Sequence, residues 1–411
     1  MPVIQALITI VLFFAVLGLL VLVHELGHYL TARAAKVRVL EFGIGFPPRS
    51  RILREGRVDP QDEAWDQRTR EETIAYLRAH NPDALEEFLD QEPERTKGTL
   101  YTLNWLPIGG FVKLGGEDGD DSRNPRSFSS KPLLTRLWIL VAGVLMNILL
   151  AFAIFAGISW LASPYVGLTI GSVVPDSPAE AAGLQDGESI YALEGQRYQF
   201  LLGESVLLDL RDRAGETVTL TIVGTDGAHR DVEVTLRPPE ELSDTVGPLG
   251  IRASEQGWEP YWTGEYAQND PATALETGWA QLTGALGLIL GGLGTLVSSV
   301  ASDPTAAPPV SGPVGIATQL GDIFWGAGPI LTLYVAAILS ANLAVVNILP
   351  FPPLDGGRML MITLRSLFGA RISLRAEQLT YMVGFVFLFA FLIWITGFDI
   401  LRSLTGVQPT P

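Results

Sequence analysis

Two histidines four residues apart, His24 and His28, enclose a glutamate in the sequence His-Glu-Leu-Gly-His. On a helix that spacing puts both imidazoles on one face, a turn apart. It suits the clamping of one zinc ion, with Glu25 beside it to handle a proton. A second chemical stretch lies far along the chain, Asn-Ile-Leu-Pro-Phe-Pro-Pro-Leu-Asp-Gly-Gly from Asn347 to Gly357. Pro350, Pro352 and Pro353 stop helix propagation and hold the chain extended, and Gly356–Gly357 permit a sharp turn. Asp355 is therefore expected on a bent, rigid segment just past an apolar helix. Two imidazoles and one carboxylate make a three-ligand zinc site with a position left open for water. The chain has four histidines and no cysteine, so thiolate sites and disulfides are excluded. Zinc would lower the pKa of water toward roughly 7, and Glu25 would take its proton and later deliver it to a leaving amine. Asn347 is a candidate donor to the developing oxyanion or a grip on the substrate backbone, and Pro352 a candidate substrate-binding position. The structural alternatives are a chance His-Glu-x-x-His, a turn-forming Asp355 and a polar helix cap at Asn347.

The elements that must position these groups are membrane spans. Residues 3–23 carry no charge, so the histidine motif lies in a stretch long enough to cross a bilayer. Ionisable groups at such depth are expensive and point to function. The 411-residue chain is 48% hydrophobic with positive mean hydropathy, which argues for an integral membrane protein. A net charge of −16 argues against nucleic acid as a partner. The N-terminal stretch lacks a basic leader region, and its apolar run exceeds that of a cleavable signal.

Uncharged spans fall at about 3–31, 134–162, 329–350 and 378–398. Arg33, Lys36, Arg38, Arg49 and Arg51 follow the first, and Arg123, Arg126, Lys131 and Arg136 lead into the second. Residues 162–182 and 308–328 contain no Lys or Arg, whereas Arg358, Arg365, Arg371 and Arg375 separate the last two spans. By the positive-inside rule both termini lie outside, and His24, His28 and Asp355 share the cytoplasmic side. Thr277–Ser302 is also uncharged and long enough to span. A crossing there would invert the charge rule twice. Trp279, Leu282, Leu286, Ile289, Leu293 and Leu296 recur at helical spacing, so 276–302 is read as an interfacial amphipathic helix.

The expected fold is thus a polytopic α-helical membrane protein with about four transmembrane helices, membrane-associated β elements and an extracytoplasmic α+β domain. Residues 1–33 form the first span with the zinc motif. Residues 34–133 form a cytoplasmic β region, strand-like at 37–46 and 99–114, with an acidic insertion at 55–97 whose helices at 62–79 and 83–91 are read as solvated. The second span covers 134–162, an outer α+β module 163–238 and a Pro-, Glu- and Gly-rich linker 239–275. After the interfacial helix come a loop at 303–328, the third span with the Leu-Asp-Gly motif at 329–357, a cytoplasmic loop at 358–377, a fourth span at 378–401 and a tail at 402–411.

These residues resemble the site-2 protease family of intramembrane zinc proteases, in its RseP-like bacterial branch. His-Glu-Leu-Gly-His at 24–28 matches that family's zinc motif, and 347–356 matches its Asn-x-x-Pro-x-Pro-x-Leu-Asp-Gly at every fixed position. Glu-Phe-Gly-Ile-Gly-Phe at 41–46, Gly-Gly-Phe-Val-Lys-Leu-Gly-Gly at 109–116 and Ser-Gly-Pro-Val-Gly-Ile-Ala at 311–317 resemble further family stretches. The family's Ala-Gly-Pro-x-x-Asn in the second span reads Ala-Gly-Val-Leu-Met-Asn here, from Ala142 to Asn147. The resemblance implies His24, His28 and Asp355 as zinc ligands and Glu25 as catalytic base. It also implies a PDZ-like outer domain, from Tyr-Val-Gly-Leu at 165–168 and the following Ser-Pro-Ala-Glu-Ala-Ala-Gly-Leu block. The implied partners are the lipid bilayer, membrane-protein substrates with a transmembrane segment and an upstream site-1 protease, and the implied location is a bacterial plasma membrane. The implied activity is regulated intramembrane proteolysis, with anti-sigma factors or signal peptides as substrate classes. Two other readings remain. A proton-coupled transporter would show internal repeats, and none is evident; a non-catalytic scaffold would carry a damaged motif.

Overall fold

The structure is a computed structural model that describes residues 2–90, 95–117, 123–203, 205–243, 246–254, 257–302, 308, 310–369 and 374–405. The chain divides into two compact units. One comprises residues 1–151, 284–322 and 335–411; the other comprises 152–283 and 323–334.

In chain order the first unit begins with α1 (Pro2–Ala34), followed by β1 (Val39–Glu55), α2 (Pro60–His80), α3 (Pro82–Asp90), β2 (Leu100–Leu114) and α4 (Leu133–Ala162), the last shared with the second unit. β1 turns back on itself at Pro47–Pro48. Its first half pairs antiparallel with 110–114, Val39 facing Leu114 and Ile44 facing Gly110. Its second half pairs with 100–104, Arg51 facing Leu103 and Glu55 facing Leu100. Glu41 through Ile44 also face Leu100 through Leu103. The result is a four-stretch ribbon with 110–114 at one edge. Ala32, Val37, Val39, Leu114, Phe128, Ile139, Leu140 and Ile362 bury a common apolar core beneath it.

The insertion is helical, as its charge pattern predicts, but it is not merely solvated. Asp59 caps α2 by accepting from the Gln61 amide, with Pro60 in the first turn. Asp62 is buried and Asp66 pairs with Arg38 at 2.9 Å, which ties α2 to the start of the ribbon.

The second unit holds β3 (Ser163–Thr169), β4 (Ser172–Val173), α5 (Pro178–Ala181), β5 (Ser189–Leu193), β6 (Tyr198–Gln199), α6 (Val206–Asp212), β7 (Thr217–Val223), β8 (His229–Thr235), β9 (Ile251–Arg252) and β10 (Glu259–Ala267). Its main sheet has the order β10-β3-β5-β7-β8, all antiparallel, with β6 paired to β3. Leu168, Ile170, Ile190, Leu193, Leu210, Leu220, Ile222 and Leu249 fill its core. The stretch read as a linker thus supplies an edge strand, β10, and a second short pairing, β9 with β4. Pro, Glu and Gly mask strand periodicity there. The Tyr261 and Trp262 backbone is nevertheless held by partners in β3.

The remaining helices are α7 (Pro271–Ser302), α8 (Pro313–Ala327), α9 (Pro329–Ile348), α10 (Asp355–Phe368) and α11 (Leu374–Thr405). The loop expected at 358–377 is largely α10. Among the described residues five helices have the length and composition of spans: Val3–Ala34, Leu133–Ala162, Pro271–Ser302, Pro329–Ile348 and Glu377–Thr405. The third of these is the additional one. It is a longer helix than the 276–302 expected, and it exposes Leu288, Leu290 and Val297 between the glycines that made it read as amphipathic. The Ser-Gly-Pro-Val-Gly stretch acquires a physical reason: the buried Asp399 carboxylate accepts from the Gly312 and Gly315 amides at 3.0 and 2.8 Å, capping α8 against α11.

Candidate metal centre

α1 and α4 run antiparallel and touch through glycine. A Cβ on Gly27 would lie 2.4 Å from the Ala142 carbonyl oxygen, so only glycine admits this approach. The close contact carries the two histidines, both buried, onto α4. The His28 Nδ1–H donates to the Ile139 carbonyl at 2.8 Å, which leaves the Nε2 lone pair free. One turn earlier on α1, His24 Nδ1 lies 3.3 Å from the Asn147 amide. Asn147 Oδ1 is buried without a partner, and the two ends of an amide are interchangeable by shape. Turned over, that oxygen accepts from the His24 Nδ1–H and frees Nε2 in the same way. Gly143 lies between these anchors. A Cβ there would be 2.5 Å from His28 Nε2 and 2.8 Å from His24 Cε1, so its missing side chain is the space the imidazoles use.

The third group arrives from the other end of the chain. α9 ends at Ile348, and the proline-rich bend closes with the Leu354 amide donating to the Phe351 carbonyl at 2.9 Å. Asp355 is the first residue of α10. A Cβ on Gly356 would lie 2.2 Å from the carbonyl oxygens of Ile348 and Leu349, so glycine lets α10 fold directly against the end of α9. Asp355 Oδ2 comes 2.8 Å from His24 Nε2 and 3.2 Å from His28 Nε2, and the two Nε2 atoms are 3.2 Å apart.

This donor set fits zinc. Ligand atoms about 2.0 Å from a tetrahedral zinc are roughly 3.3 Å from one another, so the triangle needs to open by only a few tenths of an ångström. Two imidazole nitrogens with free lone pairs and one carboxylate leave a fourth position, the pattern of a catalytic rather than a structural site. His24, His28 and Asp355 form the group among the described residues that could hold a metal.

Glu25 stands outside the triangle, and its Oε2 accepts from the Val112 amide at 3.1 Å. Val112 is on the edge stretch of the ribbon. Its partner across the ribbon is Phe42, so its amide on the other side is free for Glu25. Asn347 is half-buried in the last turn of α9 and makes no side-chain hydrogen bond to another described residue. The Pro352 carbonyl faces α11, 2.2 Å from where a Cβ on Gly384 would be. Gly143 and Asn147 fall in the family-like 142–147 stretch, but the sequence reading gave neither a role at the site. Their signal was a small pair, Ala142–Gly143, with a polar residue four further on in an uncharged span.

The sequence profile of peptidase family M50 matches residues 12–56 and 92–391. The chain belongs to that family. The match omits 57–91, which holds all of α2 and α3, and runs unbroken through the former linker. Zinc metalloprotease RasP of Geobacillus kaustophilus is 27% identical, covering 97% of this chain and 99% of its own. A candidate zinc metalloprotease of Clostridium perfringens is 28% identical over 93% of this chain and 95% of its own. Another, from Fusobacterium nucleatum, is 29% identical over 93% and 96%. This M50 chain is therefore a zinc metalloprotease of the site-2 protease type, and its apolar helices are those of a multi-pass membrane protein.

Proposed function

We propose that this M50 protease hydrolyses peptide bonds within or next to transmembrane segments of membrane proteins, with His24, His28 and Asp355 as the zinc ligands and Glu25 as the general base. The observation that carries this reading is the three-donor triangle with a carboxylate beside it on the same helix. A zinc ion there supplies Lewis acidity, which makes water nucleophilic near neutral pH. Ile139 and Asn147 hold the imidazoles in the tautomer that presents Nε2. Glu25 accepts the proton of the attacking water and returns it to the leaving amine nitrogen. Asn347 and Pro352, at the bend before Asp355, are proposed to contact the substrate backbone.

A helical substrate hides its amides in internal hydrogen bonds, so it must unwind before it can be cut. The 110–114 edge beside Glu25 offers a strand for the unwound segment to pair with. Proline introduced into the 99–114 strand at a position other than Val112, whose amide Glu25 uses, should lower turnover and leave zinc content unchanged; undiminished turnover counts against the pairing.

The orientation proposed from flanking charges puts this site near the cytoplasmic face and both termini outside. Packing in the first unit supports four crossings. Gly321 of α8 lies against Thr9, and Asp399 holds the start of α8. Thr9 is fifteen residues, roughly 22 Å of helix, from His24. α4 runs away from the metal end and α9 toward it, and α8 lies at the far level. α7 then makes no net crossing. The sheet-rich unit is proposed to act as a PDZ-like domain admitting substrates already trimmed by an upstream protease, in regulated intramembrane proteolysis of anti-sigma factor or signal-peptide substrates.

The decisive test is Glu25→Gln. The purified variant should keep about one zinc, as expected for a base that is not a ligand, and lose cleavage of a model transmembrane peptide. Unaffected cleavage, or active protein free of metal, excludes the reading.

A further inference from the structure

A cavity of about 830 Å³ opens where α1 ends, between the start of the ribbon, the start of α2 and residues 97–99. Seven basic side chains line it against two carboxylates. Two of the seven are neutralised. Arg126 pairs with Asp59 and Asp62, and Arg38 pairs with Asp62 and Asp66. These pairs use the carboxylates that α2 brings to the cavity, and burial pushes the Asp62 carboxyl up against the pull of both arginines. Arg33, Lys36, Arg54, Arg57 and Lys97 are left with no carboxylate partner among the described residues. Arg33 meets phenols instead, donating to Tyr29 Oη at 2.8 Å with Tyr101 beside it. Glu55, next to Arg54, is engaged by Arg95 at 2.7 Å.

Like charges around one cavity repel, and the field they make is focused by its walls. Beside the cavity, burial first, then the Arg126 and Lys36 charges, hold the Lys131 ammonium below the ordinary lysine range. The positive-inside rule accounts for cations following a span but not for their gathering, as exposed side chains, around one cavity. That gathering is built by α2, part of the stretch that the M50 family profile passes over.

We propose that this cavity is an anion site that takes a phosphate group, with Arg33, Lys36, Arg54, Arg57 and Lys97 as its cationic lining. Guanidinium forks match phosphate oxygens in pairs, and lysine adds a point charge. The site opens at the end of a membrane span, where an anionic phospholipid presents its phosphate and where a soluble phosphate compound also has access. It is separate from the zinc triangle and independent of the proteolytic reading.

The test uses the full chain and two probes. Wild-type protein and Arg54→Gln/Arg57→Gln/Lys97→Gln are purified from membranes containing phosphatidylglycerol, and bound lipid is counted by native mass spectrometry. Both are also titrated with inorganic pyrophosphate in neutral phosphatidylcholine nanodiscs. Removing three charges should weaken binding roughly a hundredfold, and the charge-preserving Arg54→Lys/Arg57→Lys/Lys97→Arg should restore most of it. Equal zinc content in all three shows that the fold is intact. Retained phosphatidylglycerol that the Gln variant loses identifies a lipid headgroup, and charge-dependent pyrophosphate binding identifies a soluble phosphate. Binding of neither probe, or equal binding by wild type and the Gln variant, overturns the site.

Discussion

The helices that carry His24, His28 and Asp355 and the sheet-rich unit differ in what packs at their centres. In the sheet unit the core cluster is mostly aliphatic, with Ile170, Leu220 and Ile222 completely enclosed. In the helical unit the tightest contacts involve glycine and polar groups: Gly27 on Ala142, Gly143 on two imidazoles, and the Ser340 hydroxyl donating to the Asn147 carbonyl at 2.8 Å. A module in water gains from burying apolar area. Helices in lipid gain nothing from hiding leucine, so they associate through close backbone approach and hydrogen bonds. The donor triangle belongs to the second regime: the same glycines that let α1 and α4 touch create the space in which three donors converge.

That contrast can be broken by substitution. Gly143→Val has the largest expected effect. It places a branched side chain where both imidazoles stand, and zinc content and cleavage should both be lost while the sheet unit stays folded. Retained zinc would mean that the helices can separate without cost. Leu220→Ala should lower the stability of the sheet unit by about 2–5 kcal/mol, read by pulse proteolysis, and leave zinc content unchanged. A coupled loss of zinc would show that the two regimes are not independent. Asn147→Leu is the mildest. It preserves bulk but removes the partner of His24, so zinc affinity in a chelator competition should fall by about 10–100-fold. Unchanged affinity would reduce Asn147 to a spacer between helices.

The site was more legible in the sequence than its setting. His24 and His28 announce themselves because helical periodicity fixes their geometry locally. Asp355 could be added because prolines and glycines restrict the backbone around it. Gly143 and Asn147 carry no such local signature. Their roles come from a neighbouring helix, which spacing within one segment does not encode. β10 was hidden because a strand pairs through its backbone, and Pro260 and Gly264 disguised the side-chain alternation. α7 was ambiguous because glycine counts as neither polar nor large, so one helix satisfies both a span and an amphipathic pattern. The gathering of basic residues was invisible because Arg33, Arg57 and Lys97 are scattered in sequence and meet only through the folded ribbon and α2.

The central claim is that residues 24, 28 and 355 share one ion. Zinc-edge X-ray absorption on the purified protein addresses it directly. The account predicts a first shell of nitrogen and oxygen at about 2.0 Å with the multiple-scattering signature of two imidazoles, and loss of bound zinc in Asp355→Ala. A shell with no imidazole contribution, or a full zinc complement in folded Asp355→Ala, would contradict it.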